Sequence, residues 1–522
     1  MSMSENGQRP APTQPLPAHV DVAIVGSGFS GIAIAVRMIR AGFDDFCMLE
    51  RAGELGGTWR DNTYPGCACD VPSHLYSFSF APNPEWSSTF SPQPEIRAYL
   101  RDVADRFGVT PRIRFNCEMT EAAWDEEHQR WCLETSQGPL TARVLIGAPG
   151  PLAEPKLPAI PGLERFEGTV FHSARWDHEH DLAGDRVAVV GTGASAIQFV
   201  PEIQPEVERL HLFQRTAPWV TPRRARPISR LERAAYRRFP SAQRAMRAGI
   251  YWARELYALP MLHVGLSRIT RWLATFHIRK QIEDPELRRR LTPSYAPGCK
   301  RILISNEYYP TLAKPNVEVI DSGIAEVRER SVIASDGTER EVDTIIFGTG
   351  FHVLDLPIAG RIRGRDGRPM AEVFDGSPHA YQGTAIAGFP NFFFMLGPNT
   401  GLGHTSVVFM AEAQADYILD ALQRMRVERI GALEVETRVQ AAYNAEIQSR
   451  MPGTVWTSGG CESWYLDSKG LNTSIWPSFT FRFKRELERF DLESYRVEPP
   501  RSNGTGQSER SSELVAANAP PA

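Results

Sequence analysis

The apolar positions of the chain fall into short strand-like runs and longer helix-like stretches that alternate along the sequence. Residues 20–25 form an apolar run that enters Gly26, and residues 31–41 then place apolar side chains at helical spacing. The same design recurs at residues 186–200, where a strand-like run turns at Gly191 and continues as a helix. About one domain length separates the two units. The pattern predicts an α/β fold with two Rossmann-like dinucleotide-binding domains.

Changes in composition predict how the chain divides into domains. Two apolar strands, 144–146 and 344–347, end in glycine-containing turns, where we expect the backbone to cross between domains. Both ends of the chain are rich in proline, serine, glycine and asparagine, which predicts disorder. The predicted divisions are a disordered tail at 1–17, the first part of one domain at 18–150, an inserted second domain at 151–380, the return to the first domain at 381–498, and a disordered tail at 499–522.

Residues 223–290 form an arginine-rich helical insertion within the second domain. The segment is partly amphipathic and contains no strand pattern. The simplest interpretation of its arginines is a solvated helix face, which we favour over a helix that lies on a membrane surface. The sequence does not assign the insertion a role.

The overall composition is that of an average globular protein. Hydrophobic residues make up 42% of the 522, and the formal net charge is -4, which disfavours nucleic acid as a partner. The chain has no run of about eighteen uninterrupted apolar residues, so we expect no transmembrane segment. Residues 1–19 also lack the apolar run of a secretory signal. These features predict a cytoplasmic protein.

The seven cysteines are odd in number and scattered along the chain. That distribution predicts reduced thiols in a reducing compartment and no disulfide framework. Cys67 and Cys69 lie close together, but no second pair or histidine cluster completes the four ligands of a zinc site. We therefore expect no metal.

A glycine-rich turn follows the first strand and reads Gly26-Ser27-Gly28-Phe29-Ser30-Gly31. In this G-x-G-x-x-G pattern the first glycine permits a tight turn, the second admits a pyrophosphate, and the third lets the helix pack against the strand. The next strand, 46–49, ends in Glu50, where a carboxylate accepts hydrogen bonds from an adenosine ribose. Strand, glycines, helix and acid in this order predict a site for a nucleotide with a free ribose, FAD.

The second turn has the same pattern with alanine in the third position and reads Gly191-Thr192-Gly193-Ala194-Ser195-Ala196. Its next strand is followed by Gln214-Arg215-Thr216. Arg215 lies 24 residues after Gly191 and Glu50 lies 24 residues after Gly26, so the equal spacing predicts one structural position with opposite charges. A guanidinium can bind the ribose 2′-phosphate that a carboxylate would repel, which predicts NADPH in preference to NADH. Lys300 is a candidate for a second phosphate ligand.

Two dinucleotide sites leave several flavin chemistries open. A disulfide reductase would need a redox-active cysteine pair shortly after the first unit, but the chain there reads Gly56-Gly57-Thr58-Trp59. Residues 166–177 match F-x-G-x-x-x-H-x-x-x-W-[P/D] at every fixed position, just ahead of the second glycine turn. With this fingerprint the chain resembles the Baeyer–Villiger monooxygenases, which are FAD- and NADPH-dependent flavoproteins. The resemblance covers almost the whole chain between the tails.

The resemblance implies the conversion of a ketone to an ester or lactone with NADPH and O2, through a flavin peroxide. Arg301 resembles the catalytic arginine that stabilises this peroxide, Lys300 the 2′-phosphate lysine, and Asp70 the acid that orients the arginine. His172, in the fingerprint, is then structural. Gly397-Pro398-Asn399 resembles the turn that begins the last flavin-domain helix. The other cofactor-binding candidates are Phe29, Ser30, Thr58, Trp59, Asp61 and Tyr76 for FAD, and Thr192, Ser195, Ala196, Thr216 and Trp464 for NADP. Trp464 would close over NADP⁺, although a core aromatic is an equal alternative.

Two other functions stay open at this point. A relative that oxygenates nitrogen or sulfur is disfavoured because Trp176-Asp177 is typical of the ketone-oxidising branch. A non-catalytic redox sensor that binds both nucleotides is disfavoured because Asp70, Lys300 and Arg301 are all present. The stretches Arg60-Asp61-Asn62-Thr63 and Leu471-Asn472-Thr473-Ser474-Ile475-Trp476-Pro477 resemble the subgroup that takes open-chain and aryl ketones.

Overall fold

The computed structural model of the chain describes residues 15–501. Most of the two predicted disordered tails, 1–14 and 502–522, lies outside the described residues. The strands, β1 to β20, are His19–Val25, Phe46–Leu49, Ile113–Arg114, Met119–Asp125, Arg130–Thr135, Gly138–Gly147, Thr169–His172, Arg186–Val190, Arg209–Phe213, Val220–Thr221, Leu303–Ile304, Val317–Ile320, Ile324–Val327, Ser331–Ala334, Glu339–Glu341, Thr344–Phe347, Ile362–Arg363, Phe392–Phe394, Ala432–Val435 and Tyr495–Glu498.

The α-helices differ widely in length, from single turns to the 21 residues of the longest. In chain order, α1 to α15 are Phe29–Arg40, Thr58–Asp61, Gln93–Arg106, Ala196–Ile203, Arg230–Arg238, Pro240–Leu256, Leu259–Leu262, Ser267–Gln281, Pro285–Arg290, Tyr308–Leu312, Met370–Phe374, Val407–Val427, Thr437–Ser449, Val455–Ser458 and Thr480–Glu486. Short 3-10 turns lie at Thr110–Arg112, Leu163–Arg165, Ser173–Arg175, Val264–Leu266, Pro357–Gly360 and Leu492–Ser494. In the part of the chain that the structure describes, no helix has both the length and the apolar composition needed to cross a bilayer.

The first sheet contains strands from both sides of the second domain. Its order is β17-β4-β5-β6-β1-β2-β3, and β18 pairs in addition with β6. β1 pairs in parallel with β2 and β6, so the glycine turn that follows it lies at the carboxyl edge of three neighbouring strands. Ligands of open α/β sheets bind at this edge.

The second sheet is parallel and has the order β12-β9-β8-β16-β7. All of its strands lie between residues 169 and 347, within the chain interval that separates β6 from β18. The predicted fold class, two dinucleotide-binding units of α/β type, is therefore confirmed. The sequence prediction set the return of the chain at residue 381, whereas β17 at Ile362–Arg363 already pairs with β4 of the first sheet.

Helix α1 packs between the first sheet and the long helix α12. Most of its apolar side chains are buried, and Arg37, on the side that faces α12, donates a 2.6 Å hydrogen bond to Asp416 of that helix. This packing holds the amino-terminal end of α1 against the first glycine turn.

The predicted insertion is present as helices α5 to α9. Ser229 caps α5 in a capping box with Glu232, and Asp284 caps α9 through the amide groups of Glu286 and Leu287. The strands on either side of the insertion, β10 and β11, pair with each other in parallel. The chain therefore leaves and re-enters the second domain at one place, and Lys300 and Arg301 lie immediately before β11.

Candidate active site

The first glycine turn forms a narrow backbone cleft. Gly26 has φ 105°, and a Cβ atom there would overlap the carbonyl oxygen of Ala148. A Cβ on Gly31 would overlap the carbonyl oxygen of Gly26, so α1 can approach β1 only because this residue is glycine. Gly57 lies across the cleft, where an added Cβ would come within 3.3 Å of the Gly28 Cα atom.

The amino-terminal end of α1 is suited to a phosphate group. Its N-cap is Gly28, and no side chain caps the amide groups of the first turn. Uncapped amides and the positive end of the helix dipole favour an anion at this position. Phe29 and Ser30 form the start of this turn, and Ser30 is buried.

Glu50 is buried at the end of β2 and is only 4% exposed. Its carboxylate accepts hydrogen bonds from the backbone and hydroxyl of Ser27, at 3.2 and 2.6 Å, and from Arg60 Nη1 at 2.8 Å. Arg60 also pairs with both oxygens of Asp61. Although burial opposes it, hydrogen bonds with Asp61 and the charge of Glu50 hold the pKa of Arg60 above its ordinary value. Sequence reasoning missed Arg60, which neutralises Glu50 and holds Asp61.

An aromatic group lies beside the first turn. Trp59 Nε1 donates a 3.0 Å hydrogen bond to the Tyr76 hydroxyl, and the Tyr76 ring makes an edge contact with Phe29 at 5.1 Å. Thr58 begins helix α2 next to them, with its hydroxyl 3.5 Å from the carbonyl oxygen of Leu152. Candidates from three separate stretches of the sequence, namely Phe29, Thr58-Trp59 and Tyr76, therefore meet at one end of the cleft.

The second glycine turn repeats this design at the carboxyl edge of the second sheet. Gly191 has φ 110°, and an added Cβ would overlap the carbonyl oxygen of Gly348. Around Gly193 the space is open, because an added Cβ would have its nearest neighbour 4.0 Å away. Helix α4 begins at Ala196 with Ser195 as a cap that makes no side-chain hydrogen bond. The Thr192 hydroxyl donates to the carbonyl oxygen of Thr216 at 3.3 Å.

The predicted equivalence of Glu50 and Arg215 is wrong by one residue. Val25 pairs with Leu49 in the first sheet, and Val190 pairs with Phe213 in the second. The residue that follows β2 is therefore Glu50, and the residue that follows β9 in the equivalent position is Gln214. The chain from Val190 to Phe213 is one residue shorter than the chain from Val25 to Leu49, which explains the difference. Gln214 is buried and donates a 2.6 Å hydrogen bond to Asp321.

Arg215 is exposed one position further along and lies near Lys300. Burial of the Lys300 side chain is the main cause that lowers its pKa below the ordinary value, and the positive charge of Arg215 is the second cause. Within residues 15–501, neither side chain is within ion-pair distance of a carboxylate. Two neighbouring cations without a paired carboxylate are suited to a phosphate.

Asp70 and Arg301 form an ion pair at the junction of the two domains. Asp70 Oδ2 lies 2.8 Å from Arg301 Nε and 2.6 Å from Arg301 Nη2. Burial alone would raise the pKa of the Asp70 carboxyl, but the positive charge of Arg301 has the larger total effect and lowers that pKa. The negative charge of Asp70 in turn raises the pKa of Arg301. Arg301 Nη1 donates to the carbonyl oxygen of Leu402 at 3.3 Å. The guanidinium is thus held charged and in a fixed orientation.

A second arginine, Arg254, comes from the insertion and also contacts Asp70. Arg254 of α6 donates through Nη2 to the backbone oxygen of Asp70 at 3.4 Å. Its Nε is buried and makes no hydrogen bond with any described residue. Burial lowers the pKa of Arg254 below its ordinary value, and the negative charge of Asp70 acts in the opposite direction. Sequence reasoning missed Arg254 because 184 residues separate it from Asp70.

The expectation that all cysteines are reduced thiols is wrong for two of them. Cys299 and Cys461 form a disulfide that spans 162 residues of sequence, whereas Cys47, Cys67, Cys69, Cys117 and Cys132 are free. Cys299 directly precedes Lys300, and Cys461 lies three residues before Trp464. The backbone amide of Ala296 also donates to the carbonyl oxygen of Gly459 at 2.8 Å. Scattered spacing cannot predict this pairing, because it depends on the fold bringing two distant loops together.

Trp464 is 47% exposed, and its neighbour Tyr465 is fully buried. The two rings lie 4.3 Å apart. Burial raises the pKa of Tyr465 to about 12, with the charge of Arg301 opposing. The core-aromatic alternative for Trp464 is therefore excluded, and the core aromatic of this segment is Tyr465.

The fingerprint segment forms part of the second sheet. A Cβ on Gly168 would overlap the carbonyl oxygen of Asp343, which explains the glycine. His172 ends β7 and is 4% exposed; its Nδ1 accepts a 3.1 Å hydrogen bond from the amide of Ala174. Burial lowers the pKa of His172 to about 4, so the ring is neutral at neutral pH. Trp176 packs on Phe199 of α4 at 5.3 Å.

The turn at residues 397–399 does not itself begin a helix, and the next helix along the chain is α12. Helix α12 begins at Val407, so seven residues, 400–406, lie between the turn and the helix. Asn399 has φ 56° and donates to the carbonyl oxygens of Asn472 and Ile475, at 2.8 and 3.0 Å. The turn therefore anchors residues 472–475.

Comparison with known proteins places this geometry among flavoproteins. A family model described as flavin-binding monooxygenase-like matches residues 19–359. A Baeyer–Villiger monooxygenase from Streptomyces coelicolor is 55% identical over 487 residues, which cover 92% of this chain and 93% of the relative.

Solved structures are similar over nearly the same length. The closed crystal structure of cyclohexanone monooxygenase has a TM-score of 0.83 and 28% identity, and the match covers 93% of this chain and 100% of that one. Oxidized steroid monooxygenase bound to NADP has a TM-score of 0.81 and 30% identity, with coverage of 92% and 100%.

Proposed function

The chain belongs to the flavin-binding monooxygenase-like family and to its Baeyer–Villiger branch, and on that basis we propose that it converts a ketone to an ester or lactone with NADPH and O2. In this reaction one oxygen atom of O2 enters between the carbonyl carbon and a neighbouring carbon. The other oxygen atom leaves as water, for which NADPH supplies a hydride and the solvent one proton, and NADPH is oxidised to NADP⁺. The observation that carries the proposal is the ion pair of Asp70 and Arg301 at the junction of two nucleotide-binding units.

The first domain is proposed to bind FAD and the second NADPH. The uncapped helix end at Gly28, the glycine cleft and buried Glu50 fit a dinucleotide with a free ribose. Arg215 and Lys300 fit the 2′-phosphate of NADPH. Since β17 returns to the first sheet, we propose that the NADP domain ends before Ile362.

The remaining contacts are assigned by their place in these two clefts. We assign the aromatic group of Phe29, Trp59 and Tyr76, with Thr58, to the flavin end of the first cleft. Asp61 is assigned there indirectly, because its carboxylate is held by Arg60. We assign Thr192, Ser195 and Thr216 to the second cleft, with Ala196 buried behind it beside Gly348, and we propose that exposed Trp464 covers bound NADP⁺.

When bound, FAD reduced by NADPH supplies the oxygen activation, and the side chains of this chain control charge and access around it. Arg301 carries a permanent positive charge, and Asp70 and the Leu402 carbonyl hold its orientation. A fixed cation stabilises negative charge that develops on oxygen without any reorganisation of the site. Neutral His172 takes no proton in this scheme; it supports the turn between β7 and the rest of the second domain.

The substrate is proposed to be an open-chain or aryl ketone. Residues 60–63 and 471–477 support this subgroup by resemblance, and the second of these stretches is anchored to Asn399 in the site. Location in the cytoplasm also remains our proposal, although the disulfide of Cys299 and Cys461 is typical of oxidising compartments and removes the support that the cysteine pattern gave.

Product analysis with a ketone that also carries a thioether tests the proposed reaction. Protein reconstituted with FAD is incubated with NADPH, oxygen-18 gas and 4-(methylthio)butan-2-one, and the products are separated by gas chromatography and mass spectrometry. We expect an ester that carries one heavy oxygen atom. A labelled sulfoxide alone would assign the chain to heteroatom oxygenation, and consumption of NADPH without an organic product would reject the oxygenase proposal.

A further inference from the structure

The helical insertion carries an unusual share of the exposed apolar surface. Nine of the seventeen large apolar side chains exposed in residues 15–501 belong to residues 223–290, so the exposure is concentrated in one small region. Large exposed apolar patches mark sites of interaction with proteins or membranes. The prediction that the insertion presents a solvated, arginine-rich face is therefore incomplete, because the insertion also exposes large apolar side chains.

Helix α8 shows the arrangement most clearly. Ile269, Trp272 and Phe276 follow one another at spacings of three and four residues, so they lie on one face of the helix. Their exposed fractions are 68%, 69% and 57%. Leu266, one turn earlier, is also exposed, and the rings of Trp272 and Phe276 stack at 6.1 Å. We call these four residues the aromatic face.

The opposite side of α8 is anchored in the protein. Thr270, Ala274, His277 and Ile278 are buried, and His277 Nε2 lies 2.9 Å from the carbonyl oxygen of Ser305. Ala274 packs in a cluster with Cys299, the residue before Lys300. The aromatic face is therefore presented by a fixed helix rather than by a loop.

The charge around the aromatic face is strongly positive. Residues 223–290 contain seventeen arginines and lysines and five carboxylates, although the whole chain has a formal net charge of -4. Arg268, Arg279 and Lys280 of α8 are exposed, and no carboxylate of residues 15–501 lies within ion-pair distance of them. Four of the five carboxylates are engaged, Glu232 and Glu286 by arginines, Asp284 as a cap and Glu255 by Thr480.

We propose that the aromatic face of α8 docks the protein on the surface of an anionic lipid bilayer. An amphipathic helix with aromatic and aliphatic side chains on one face and Lys or Arg beside them inserts that face at the headgroup level. Anionic headgroups attract the flanking cations. A second copy of the chain would bring two strongly positive insertions together, so like charges oppose self-association through this face.

Sedimentation with lipid vesicles tests the proposal on the full-length flavoprotein. We expect binding to phosphatidylglycerol vesicles at low salt, little binding to phosphatidylcholine vesicles, and loss of binding at about 1 M salt, where charges are screened beyond roughly 3 Å. The triple variant Ile269→Ser, Trp272→Ser, Phe276→Ser should bind at least tenfold more weakly. Val427→Ser, which changes an exposed apolar residue on α12, should bind like the unmodified protein.

Substitutions of single charged residues distinguish docking through the insertion from nonspecific binding of the protein to lipid. Arg279→Gln is expected to weaken binding about fivefold, the effect of one cation near an anionic surface. Lys314→Gln, an exposed cation outside the insertion, should leave it nearly unchanged. Equal effects of these two substitutions would overturn the proposal.

Quenching by brominated lipid does not depend on a destabilising variant. Bromine on the acyl chains should quench part of the tryptophan fluorescence of the unmodified protein, and the conservative variant Trp272→Phe should lose that part. Identical quenching in both proteins would reject contact between Trp272 and lipid. A dimer that becomes a monomer in the triple serine variant, without vesicle binding, would assign the face to a second copy instead.

Discussion

One oxygen of Asp70 binds two nitrogens of Arg301, at 2.8 and 2.6 Å, although 231 residues separate these side chains in the sequence. Asp70 follows the first glycine-rich unit, and Arg301 lies eleven residues after the end of the helical insertion. The ion pair therefore joins the two proposed nucleotide-binding domains at the place where both proposed cofactors would meet.

Replacing Arg301 by alanine should separate reduction from oxygenation. We expect NADPH still to reduce bound FAD, because the 2′-phosphate ligands remain, while ester formation falls by a factor of about 10² or more through loss of the fixed charge. Stopped-flow absorbance of the flavin and gas chromatography of the ester measure the two steps. The matched control is Arg438→Ala, which removes an exposed arginine paired with Glu436. Normal ester yield from Arg301→Ala would defeat the assignment.

Replacing Arg215 by alanine should change cofactor preference. A charged hydrogen bond to phosphate contributes on the order of 1.5–3 kcal/mol, so the Kd for NADPH should rise roughly ten- to hundredfold. The Kd for NADH should stay nearly constant, because NADH has no 2′-phosphate. Equal losses for both dinucleotides, measured by the rate of flavin reduction, would remove the proposed phosphate site.

His172 should make stability depend on pH in a defined window. Its pKa is about 4 in the folded protein, because the ring is buried, and about 6.5 when unfolded. Between these values the unfolded chain binds more protons, so the contribution of His172 is complete above pH 6.5 and is lost as the pH falls toward 4. The loss is on the order of 3 kcal/mol.

The variant His172→Asn tests this window, since the Asn side-chain oxygen can still accept from Ala174 but does not titrate. Thermal unfolding between pH 4.5 and 7 should show a smaller change in Tm for this variant than for the unmodified protein. The exposed His263→Gln should retain the original pH dependence. A variant His172→Asn with an unaltered slope would show that His172 is not the group responsible.

Thiol counting should reveal the disulfide. Under denaturing, non-reducing conditions, five thiols per chain should react with Ellman's reagent, and seven after reduction. The variant Cys461→Ser should show six in both cases, because Cys299 then has no partner. Seven reactive thiols before reduction would show that Cys299 and Cys461 are not joined.

Local patterns predicted the parts of this structure that depend on neighbours in sequence. The glycine turns at Gly26 and Gly191, the strands before them and the helices after them all follow from short-range spacing. Asp70 and Arg301 were found only through the resemblance, because no local pattern connects two residues so far apart.

The missed features depend on contacts that spacing does not encode. Equal spacing of 24 residues suggested that Arg215 matches Glu50, whereas the strand register places Gln214 there. Arg254 reaches Asp70 from another domain, and Cys299 meets Cys461 only in the folded chain. The exposure of Trp272 follows from which face of α8 packs, and the sequence pattern alone does not distinguish that face.

The first sheet draws β1 to β6 from the beginning of the chain, and β17 and β18 from residues 362–363 and 392–394. During synthesis on the ribosome, the strands of the second sheet have all been synthesised by residue 347, before β18 is made. The second domain can thus complete its sheet first, whereas the edge of β6 that pairs with β18 stays unpaired until about fifty further residues have been made, which takes a few seconds of translation. Nascent chains halted in that interval should contain a closed second sheet and an incomplete first one.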